Sequence, residues 1–215
     1  MTNGVAEIAF MTEGPSVSVP EGKEAHLQPL IERARGGDQS AFEQIMLRSE
    51  RQVVAIAWRS LGNREDARDA AQEVFLRAYK YLGTFKEGQN FSGWLHKITI
   101  NVCHDIVRKR SKQPGGPVSS GADFDDAILE TIAAPDDTEA RAIRAQERVI
   151  VGRALSSLSE RERSAIVLRD MEGFSTEEVA QILGTRAATV RSQIASGRMK
   201  IRRYCARFLK RGGKV

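Results

Sequence analysis

Polar and basic side chains recur at helical spacing near the C-terminus, where they could form hydrogen bonds to nucleic-acid bases. The outer side of the predicted helix carries Arg186, Thr189, Arg191, Ser192 and Gln193, and its inner side carries Val190 and Ile194. An α-helix fits the major groove of duplex DNA, where Arg reads guanine and Gln reads adenine. From Thr185 to the C-terminus there are ten basic residues and no acidic one, which suits contact with phosphates. A solvated helical hairpin is the alternative, but a solvated face normally mixes both signs of charge.

A shorter predicted helix precedes this one and completes a helix-turn-helix. Ser175-Thr-Glu-Glu178 fits a capping box, in which Ser bonds to backbone amides and Glu bonds back, and each such cap contributes about 1 kcal/mol. Gly184 can adopt the positive φ that a tight turn demands. A second capping box, Ser159-Glu-Arg-Glu162, begins another helix upstream. The C-terminal part of the chain is therefore predicted to be a small helical domain with a DNA-binding motif.

The N-terminal part of the chain has helical periodicity almost throughout Leu27 to Lys112 and contains no credible strand. Asp38 and Asn63 are predicted N-caps, and Gly62 is predicted to end the helix between them. A third long helix is predicted to begin at a Ser92 cap. These signals predict a bundle of three or four helices.

Two features of this bundle suit binding, and each has a plainer interpretation. Phe85, Phe91 and Trp94 cluster around the start of a basic helix, where they could stack on unpaired bases or pack in the core. The second long helix carries a polar, largely acidic stripe, which is either a solvent face or a protein docking face: Asp66, Asp69, Gln72, Glu73 and Arg77.

An acidic segment separates the two basic parts of the chain. Residues 113–140 contain seven Asp or Glu and no Lys or Arg, and their Pro-Gly-Gly-Pro resists regular structure. Residues 1–24 are rich in Gly, Pro, Ser and Glu, and Met11 is an alternative start. The predicted fold is all-α, with two small helical domains joined by a flexible acidic linker. The predicted ranges are a disordered leader at 1–24, a first domain at 25–112, the linker at 113–140 and a second domain at 141–211.

Composition favours a cytoplasmic protein and gives no sign of an enzyme. No stretch reaches the roughly 18 apolar residues of a membrane span, and the N-terminus lacks the regions of a signal peptide. Cys103 and Cys205 have no CxxC spacing, which favours a reducing compartment. A metal site of His96, Cys103 and His104 is conceivable, but no fourth ligand has suitable spacing. Without a phosphate-binding glycine loop or a nucleophile–base pattern, neither cofactor nor metal is expected.

Several stretches, taken in order, resemble the sigma factors of bacterial RNA polymerase. Asp-Ala-Arg-Asp-Ala-Ala-Gln-Glu-Val-Phe-Leu-Arg-Ala-Tyr at 66–79 is similar to the polymerase-binding stretch of sigma region two. Phe-Ser-Gly-Trp-Leu-His-Lys-Ile-Thr-Ile-Asn at 91–101 is similar to the promoter-opening stretch that follows it. Three further stretches resemble region four: Leu-Ser-Glu-Arg-Glu-Arg (158–163), Ser-Thr-Glu-Glu-Val-Ala-Gln-Ile-Leu-Gly (175–184) and Thr-Val-Arg-Ser (189–192). Their order and the tether between them are similar to those of the extracytoplasmic-function (ECF) subfamily, which keeps only these two regions.

The resemblance implies a sigma factor that binds core RNA polymerase and directs promoter-specific initiation by recognising and opening promoter DNA. The residues implied to dock on the clamp of the largest polymerase subunit are Asp69, Gln72, Glu73 and Arg77. Those implied at the minus-ten element are Phe85, Asn90, Trp94, Lys97, Asn101, Arg108 and Lys109. Those implied at the minus-thirty-five duplex are Arg186, Thr189, Arg191, Ser192 and Arg198. Further implied partners are the flap of the second-largest subunit and an anti-sigma factor, and the acidic linker would thread the basic RNA exit channel.

Two other classes of protein stay open at this point. A stand-alone regulator could bind duplex DNA as a dimer without polymerase, although the sequence shows no unexplained apolar face for a dimer. A protein-sequestering adaptor without DNA contact conflicts with the unbroken basic C-terminus. Gel filtration with core polymerase would separate the sigma factor, which co-elutes, from a free homodimer.

Overall fold

The computed structural model describes residues 27–86, 88–112 and 150–212, and within these ranges every regular element is helical. The first module contains α1 (Gln28–Arg35), α2 (Gln39–Leu61), α3 (Arg64–Tyr81), a 3-10 turn (Leu82–Thr84) and α4 (Phe91–Ser111). The second module contains α5 (residues 150–156), α6 (Glu160–Ile166), a π-helical turn (Val167–Met171), α7 (Thr176–Ile182) and α8 (Ala187–Gly212). The all-α prediction is confirmed, and the leader and the linker lie outside the described residues.

Side-chain caps fix where several helices begin. The side-chain oxygens of Asp38 and Asn63 accept backbone N–H bonds at the starts of α2 and α3. Gly62 ends α2 with φ of 84°, a left-handed conformation that favours glycine. Ser159 and Ser175 form the two predicted capping boxes, which begin α6 and α7. The local signals in the sequence therefore locate these helix ends correctly.

The predicted Ser92 cap is wrong, because α4 begins earlier. Its N-cap is Asn90, whose side-chain oxygen accepts a hydrogen bond from the Gly93 N–H at 2.8 Å. This start makes Phe91 the first helical residue and turns its ring into the core, 5.5 Å from the ring of Trp94. Packing of that ring fixes the start of the helix, since Asn and Ser are similarly good caps.

The two modules are packed against each other over part of their surfaces. The core of the second module, built around α6, α7 and α8, also contains Ile56 of α2 and Ile100 of α4, both of which are buried. The remaining core of the first module lies among α1 to α4. Ile56 and Ile100 of the first module therefore share one apolar core with residues of the second module, which lie far from them in the chain.

A π-helical turn interrupts the second module after α6. The Glu172 N–H donates to the Val167 carbonyl, five residues back, which is the hydrogen bond that defines this wider turn. Asp170 then faces Arg198 of α8, and Glu172 faces Arg59 of α2. One short turn thus sends neighbouring carboxylates to different helices.

The helix-turn-helix consists of α7 and α8. Gly184 lies in the turn between them with φ of 60°, as predicted. Further along α8, Gly197 is buried where this helix crosses α6, and a Cβ atom there would lie 2.9 Å from Cγ1 of Ile166. The close approach fixes the distance between α6 and α8, so the outer face of α8 is held at a defined position.

Candidate polymerase and promoter interfaces

The predicted polymerase-binding residues lie together on α3. Asp69 and Gln72 are exposed, and Glu73 pairs with Arg77 at 2.7 Å one turn later. Arg77 is mostly buried and also bonds to Asp105 of α4 at 3.1 Å. The stripe therefore presents two free-standing polar side chains and one ordered ion pair rather than four independent charges.

An apolar groove lies beside this stripe, between α2 and α3. Its rim exposes Leu47 and Leu76, with 72% and 68% of their surfaces accessible, and Tyr79, with 49%. Its walls include Gln72 and Arg68, so the groove is continuous with the predicted docking residues. Sequence reasoning missed this groove and stated that neither module has an unexplained apolar face. Large apolar side chains exposed as a contiguous patch mark interaction surfaces.

The aromatic residues predicted at the minus-ten element are packed in the core. The rings of Phe85, Phe91 and Trp94 contact one another with centroids 5.4–5.5 Å apart, and all three are buried. Asn90 is buried as the cap of α4, and Lys97 is 3% exposed. Of the two interpretations of this cluster, the structure therefore agrees with core packing. The three rings do not form an open platform for stacking on unpaired bases.

Polar side chains nevertheless form one stripe along α4. Lys97, Asn101, His104 and Arg108 follow one another at spacings of four, three and four residues, which places them on one face of a helix. Arg108 is exposed, as is the neighbouring Lys109, whereas Asn101 and His104 are half-buried. Asp105 pairs with Arg108 at 2.5 Å and also with Arg77, so this stripe is connected to the predicted docking residues of α3.

The residues predicted at the minus-thirty-five duplex are all exposed along α8 and at its start: Arg186, Thr189, Arg191, Ser192 and Arg198. Acidic residues of the same module hold two of these arginines. Asp170 accepts both hydrogen bonds from Arg198, at 2.9 and 2.5 Å. This pair raises the pKa of Arg198 above its ordinary value. Glu177 lies 3.6 Å from Arg191, near the N-terminus of α7.

Polar contacts join the two modules around their shared apolar residues. Glu172, which directly follows the π-helical turn, binds Arg59 of α2 at 2.6 Å and Gln52 at 2.8 Å. His104 of α4 places Nε2 2.9 Å from the Ser164 hydroxyl of α6. The resulting junction contains an ion pair that is mostly shielded from solvent, since the side chains of Glu172 and Arg59 are 7% and 22% exposed.

Arg163 caps helices from both modules at once. Its guanidinium donates to the carbonyl oxygens of Leu155, Ser156 and Leu158, which follow or end α5, at 3.0–3.3 Å. It also donates to the Ser60 carbonyl, in the last turn of α2, at 2.7 Å. Because the last carbonyls of a helix lack partners within the helix, a cation there satisfies them and interacts favourably with the helix dipole.

Two titratable side chains are buried without a role in these contacts. His96 packs its ring edge-on against Phe174, with centroids 5.2 Å apart, and burial lowers its pKa to about 3. Burial likewise raises the pKa of the Cys103 thiol to about 12. Among the described residues, no three His, Cys, Asp or Glu side chains come together as metal ligands would. None of the helices in the described ranges is long and apolar enough to cross a membrane.

Comparison with known proteins shows to which family these modules belong. The family models for sigma-70 region 2 and sigma-70 region 4 match residues 45–113 and 148–201. The RNA polymerase sigma-H factor of Pseudomonas aeruginosa is 32% identical over 178 residues, which cover 81% of this chain and 91% of that protein. The ECF RNA polymerase sigma-E factor of Escherichia coli K12 is 33% identical over 181 residues, with the same two coverages.

Solved structures agree with this assignment. CnrH, in complex with the cytosolic domain of CnrY, aligns with a TM-score of 0.59 at 28% identity over 82% of this chain and 95% of that chain. The sigma factor RpoE of Bartonella quintana, in complex with the anti-sigma factor NepR, shares the fold with a TM-score of 0.56 at 22% identity, over 77% of this chain and 96% of that chain. The chain therefore belongs to the ECF subfamily of the sigma-70 factors, and it directs promoter-specific initiation of transcription.

Proposed function

We propose that this sigma factor uses three separate surfaces during initiation. The groove between α2 and α3, with Asp69, Gln72, Glu73 and Arg77 beside it, binds the clamp of the largest polymerase subunit. The outer face of α8 reads the minus-thirty-five duplex. The stripe along α4, with the loop before it, binds the minus-ten element. The observation that carries the proposal is the outer face of α8, where all five predicted recognition side chains are exposed on a rigidly held helix.

The groove strengthens the polymerase assignment for physical reasons. A polar stripe by itself offers modest binding energy, because exposed charges are well solvated. Apolar side chains such as Leu47 and Leu76 supply the burial that stable protein interfaces need at their centre, with polar residues at the rim. The same surface therefore suits a helical partner that places apolar side chains in the groove and polar ones against Gln72.

Replacing Gln72 by Ala and Glu73 by Lys is expected to weaken binding of core polymerase by about tenfold or more, equivalent to at least ~1.4 kcal/mol. The lysine repels Arg77, which now pairs with Glu73 at 2.7 Å, and the alanine removes an exposed polar contact. Fluorescence anisotropy of the labelled protein with core polymerase measures the effect.

The matched control is Glu65→Lys, an exposed charge reversal in the first turn of the same helix and away from the groove. It should leave the affinity for polymerase near that of the wild type. Equal affinities for the double variant and the wild type, with unchanged helicity by circular dichroism, would contradict the docking assignment.

The arginines of α8 divide into two roles according to their position. Arg191 lies in the second turn of α8, where a recognition helix contacts base edges, whereas Arg202 and Arg203 are exposed further along, where backbone contact is expected. Arg191→Ala should cost about 1–3 kcal/mol and relax the preference at one or two adjacent base pairs. Arg202→Ala should weaken all sequences alike and reduce the salt slope by roughly one.

The test of these roles is binding to a promoter library with a randomised upstream element, at two salt concentrations. Arg203→Ala serves as a second backbone-contact variant. An unchanged base profile for Arg191→Ala, together with an altered one for Arg202→Ala, would place the recognition helix elsewhere.

The remaining partners follow from the family. The sigma factor RpoE of Bartonella quintana, which shares this fold, is solved in complex with the anti-sigma factor NepR. An anti-sigma factor is therefore proposed as a regulator of this chain as well, alongside the flap of the second-largest polymerase subunit. Members of the family act in initiation without catalysis of their own, and the same is proposed here. We also propose a cytoplasmic location, because promoter DNA and core polymerase are found there.

A second candidate function is a stand-alone DNA-binding dimer, which the groove between α2 and α3 now makes concrete. Exposed Leu47 and Leu76 could pack against a second copy of the chain. Transcription from genomic DNA with purified core polymerase tests the first function, and gel filtration tests the second. Promoter-dependent transcripts with co-elution support the sigma factor, whereas a homodimer that ignores polymerase supports the regulator.

A further inference from the structure

Arg191 and Arg198 lie on the same face of α8, two turns apart. A spacing of seven residues is close to two full turns, so Arg198 lies about 10 Å further along the helix axis than Arg191. The first residues of a recognition helix contact base edges, whereas residues further along the helix come closer to the sugar-phosphate backbone. The position of Arg198 therefore favours contact with a phosphate of the duplex.

A small basic hollow lies beside Arg198. Its volume is about 240 Å³, and its walls come from the π-helical turn, the start of α7 and the middle of α8: Arg169, Thr176, Arg191, Ile194, Ala195 and Arg198. Arg169 is held in place by a hydrogen bond that it donates to the Phe174 carbonyl at 3.0 Å. Three guanidinium groups thus line one hollow, and guanidinium groups bind phosphate oxygens through paired hydrogen bonds.

A carboxylate already occupies the guanidinium of Arg198. Asp170 accepts from its Nε and Nη2 atoms at 2.9 and 2.5 Å, which is the paired geometry that a phosphate would also use. The pair is open to solvent, since the side chains of Arg198 and Asp170 are 53% and 29% exposed. A phosphate that approaches this edge of the guanidinium therefore meets a carboxylate bound to the same two N–H groups.

We propose that Asp170 occupies the place of a DNA phosphate, and that the duplex must displace it before Arg198 can bind the strand through this edge. This inference rests on the proposed function, because it assumes that the outer face of α8 contacts duplex DNA. The carboxylate belongs to the same module as the arginine, so it is always close enough to compete. Phosphate contacts supply essentially all of non-specific binding, so the pair limits how tightly the protein is held on DNA that lacks a promoter.

Asp170→Asn tests this competition, because asparagine keeps the shape of the side chain and removes its charge. Arg198 is the only side-chain partner of Asp170 in the part of the chain that the structure describes, so the fold should be unaffected. The full chain should bind a fluorescein-labelled duplex of about 20 mixed-sequence base pairs about fivefold more tightly. The salt dependence of this binding should steepen by roughly one unit of slope.

The matched control is Glu177→Gln, which removes one negative charge from the same basic face. Glu177 lies 3.6 Å from Arg191, and both side chains are mostly exposed, so this contact is too loose to occupy the arginine. Competition at Arg198 therefore predicts a gain of less than about twofold for Glu177→Gln. In an Arg198→Ala background, Asp170→Asn should also gain less than about twofold, since the arginine that it frees is missing.

Three results would overturn the proposal: no gain in affinity or slope for Asp170→Asn, an equal gain for Glu177→Gln, or a full gain for Asp170→Asn when residue 198 is alanine. The wild type keeps this test separate from that of the proposed function. A wild-type chain that does not bind the duplex would count against the proposed function. Binding by the wild type without the predicted differences among the variants would count against the role of Asp170 alone.

Discussion

Acidification from pH 7 to pH 5 should lower the free energy of unfolding by about 2 kcal/mol, mainly through His96. The ring of His96 is 1% exposed, and its Nδ1 atom has no hydrogen-bond partner among the described residues. Burial holds its pKa at about 3, so the folded protein keeps the ring neutral throughout this range. The unfolded chain takes up a proton as the pH falls below about 6.5, which favours unfolding.

The pH range in which stability is lost identifies the side chain responsible for the loss. Because the pKa of the folded form is lowered, the loss of stability begins near pH 6.5 and continues towards pH 3. Burial also lowers the pKa of His104, which adds to the effect in the same direction. Asp38 and Glu162, whose pKa values are held at about 2, lose their stabilising effect only below about pH 4.5.

Urea unfolding at pH 7 and at pH 5, followed by circular dichroism, measures this dependence. His96→Phe retains a ring against Phe174 and removes the unpartnered nitrogen. This variant should lose most of the pH dependence and be the more stable protein at pH 5. A wild-type stability that is the same at both pH values would contradict the buried, neutral state of His96.

Glu162→Ala should destabilise the second module by about 3 kcal/mol, because one carboxylate joins the start of α6 to α8. Glu162 accepts from the backbone N–H and the hydroxyl of Ser159 at 2.9 and 2.8 Å. It also accepts from Ser196 at 2.6 Å and from Lys200 at 2.7 Å, both on α8. The substitution removes all four bonds and leaves the lysine without its partner.

Because the pKa of Glu162 is lowered, the stability that this carboxylate contributes depends on pH. Burial alone would raise it, but the hydrogen bonds from Lys200, Ser196 and Ser159 outweigh burial and hold it at about 2. Its contribution is therefore complete above about pH 4.5 and is lost as the pH falls towards 2. Thermal unfolding of Glu162→Gln, which keeps the shape and loses the charge, should fall between the alanine variant and the wild type. Equal melting temperatures for all three proteins would refute this role.

Local features of the fold were predictable because short-range chemistry determines them. The caps at Asp38, Asn63, Ser159 and Ser175 depend on a side chain and an amide three residues away, and a sequence contains both. The Ser92 prediction failed because the start of α4 depends on packing of the Phe91 ring, which is a tertiary contact. The exposed outer face of α8 was predictable for the same reason as the caps, since helical spacing defines it.

The groove and the packing of the two modules against each other could not be predicted in this way. Ile56 and Ile100 lie on apolar stripes that predict burial, but periodicity cannot tell which neighbour buries a side chain. Leu47 of α2 and Leu76 of α3 show the opposite case, in which apolar residues of helices in the same module stay exposed. Three-dimensional packing, and not the spacing of residues, distinguishes these outcomes.

The π-helical turn at Val167–Met171 keeps the junction between the modules in register. A turn with hydrogen bonds five residues apart contains one residue more than an α-helical path between the same points. If the same residues formed an α-helix instead, the side chains that follow would be rotated by about 100° around the helix axis. Glu172 would then point away from Arg59 although neither residue had changed. The wider turn therefore absorbs one residue, and a relative that lacks this residue would keep the pair in register with an α-helical turn.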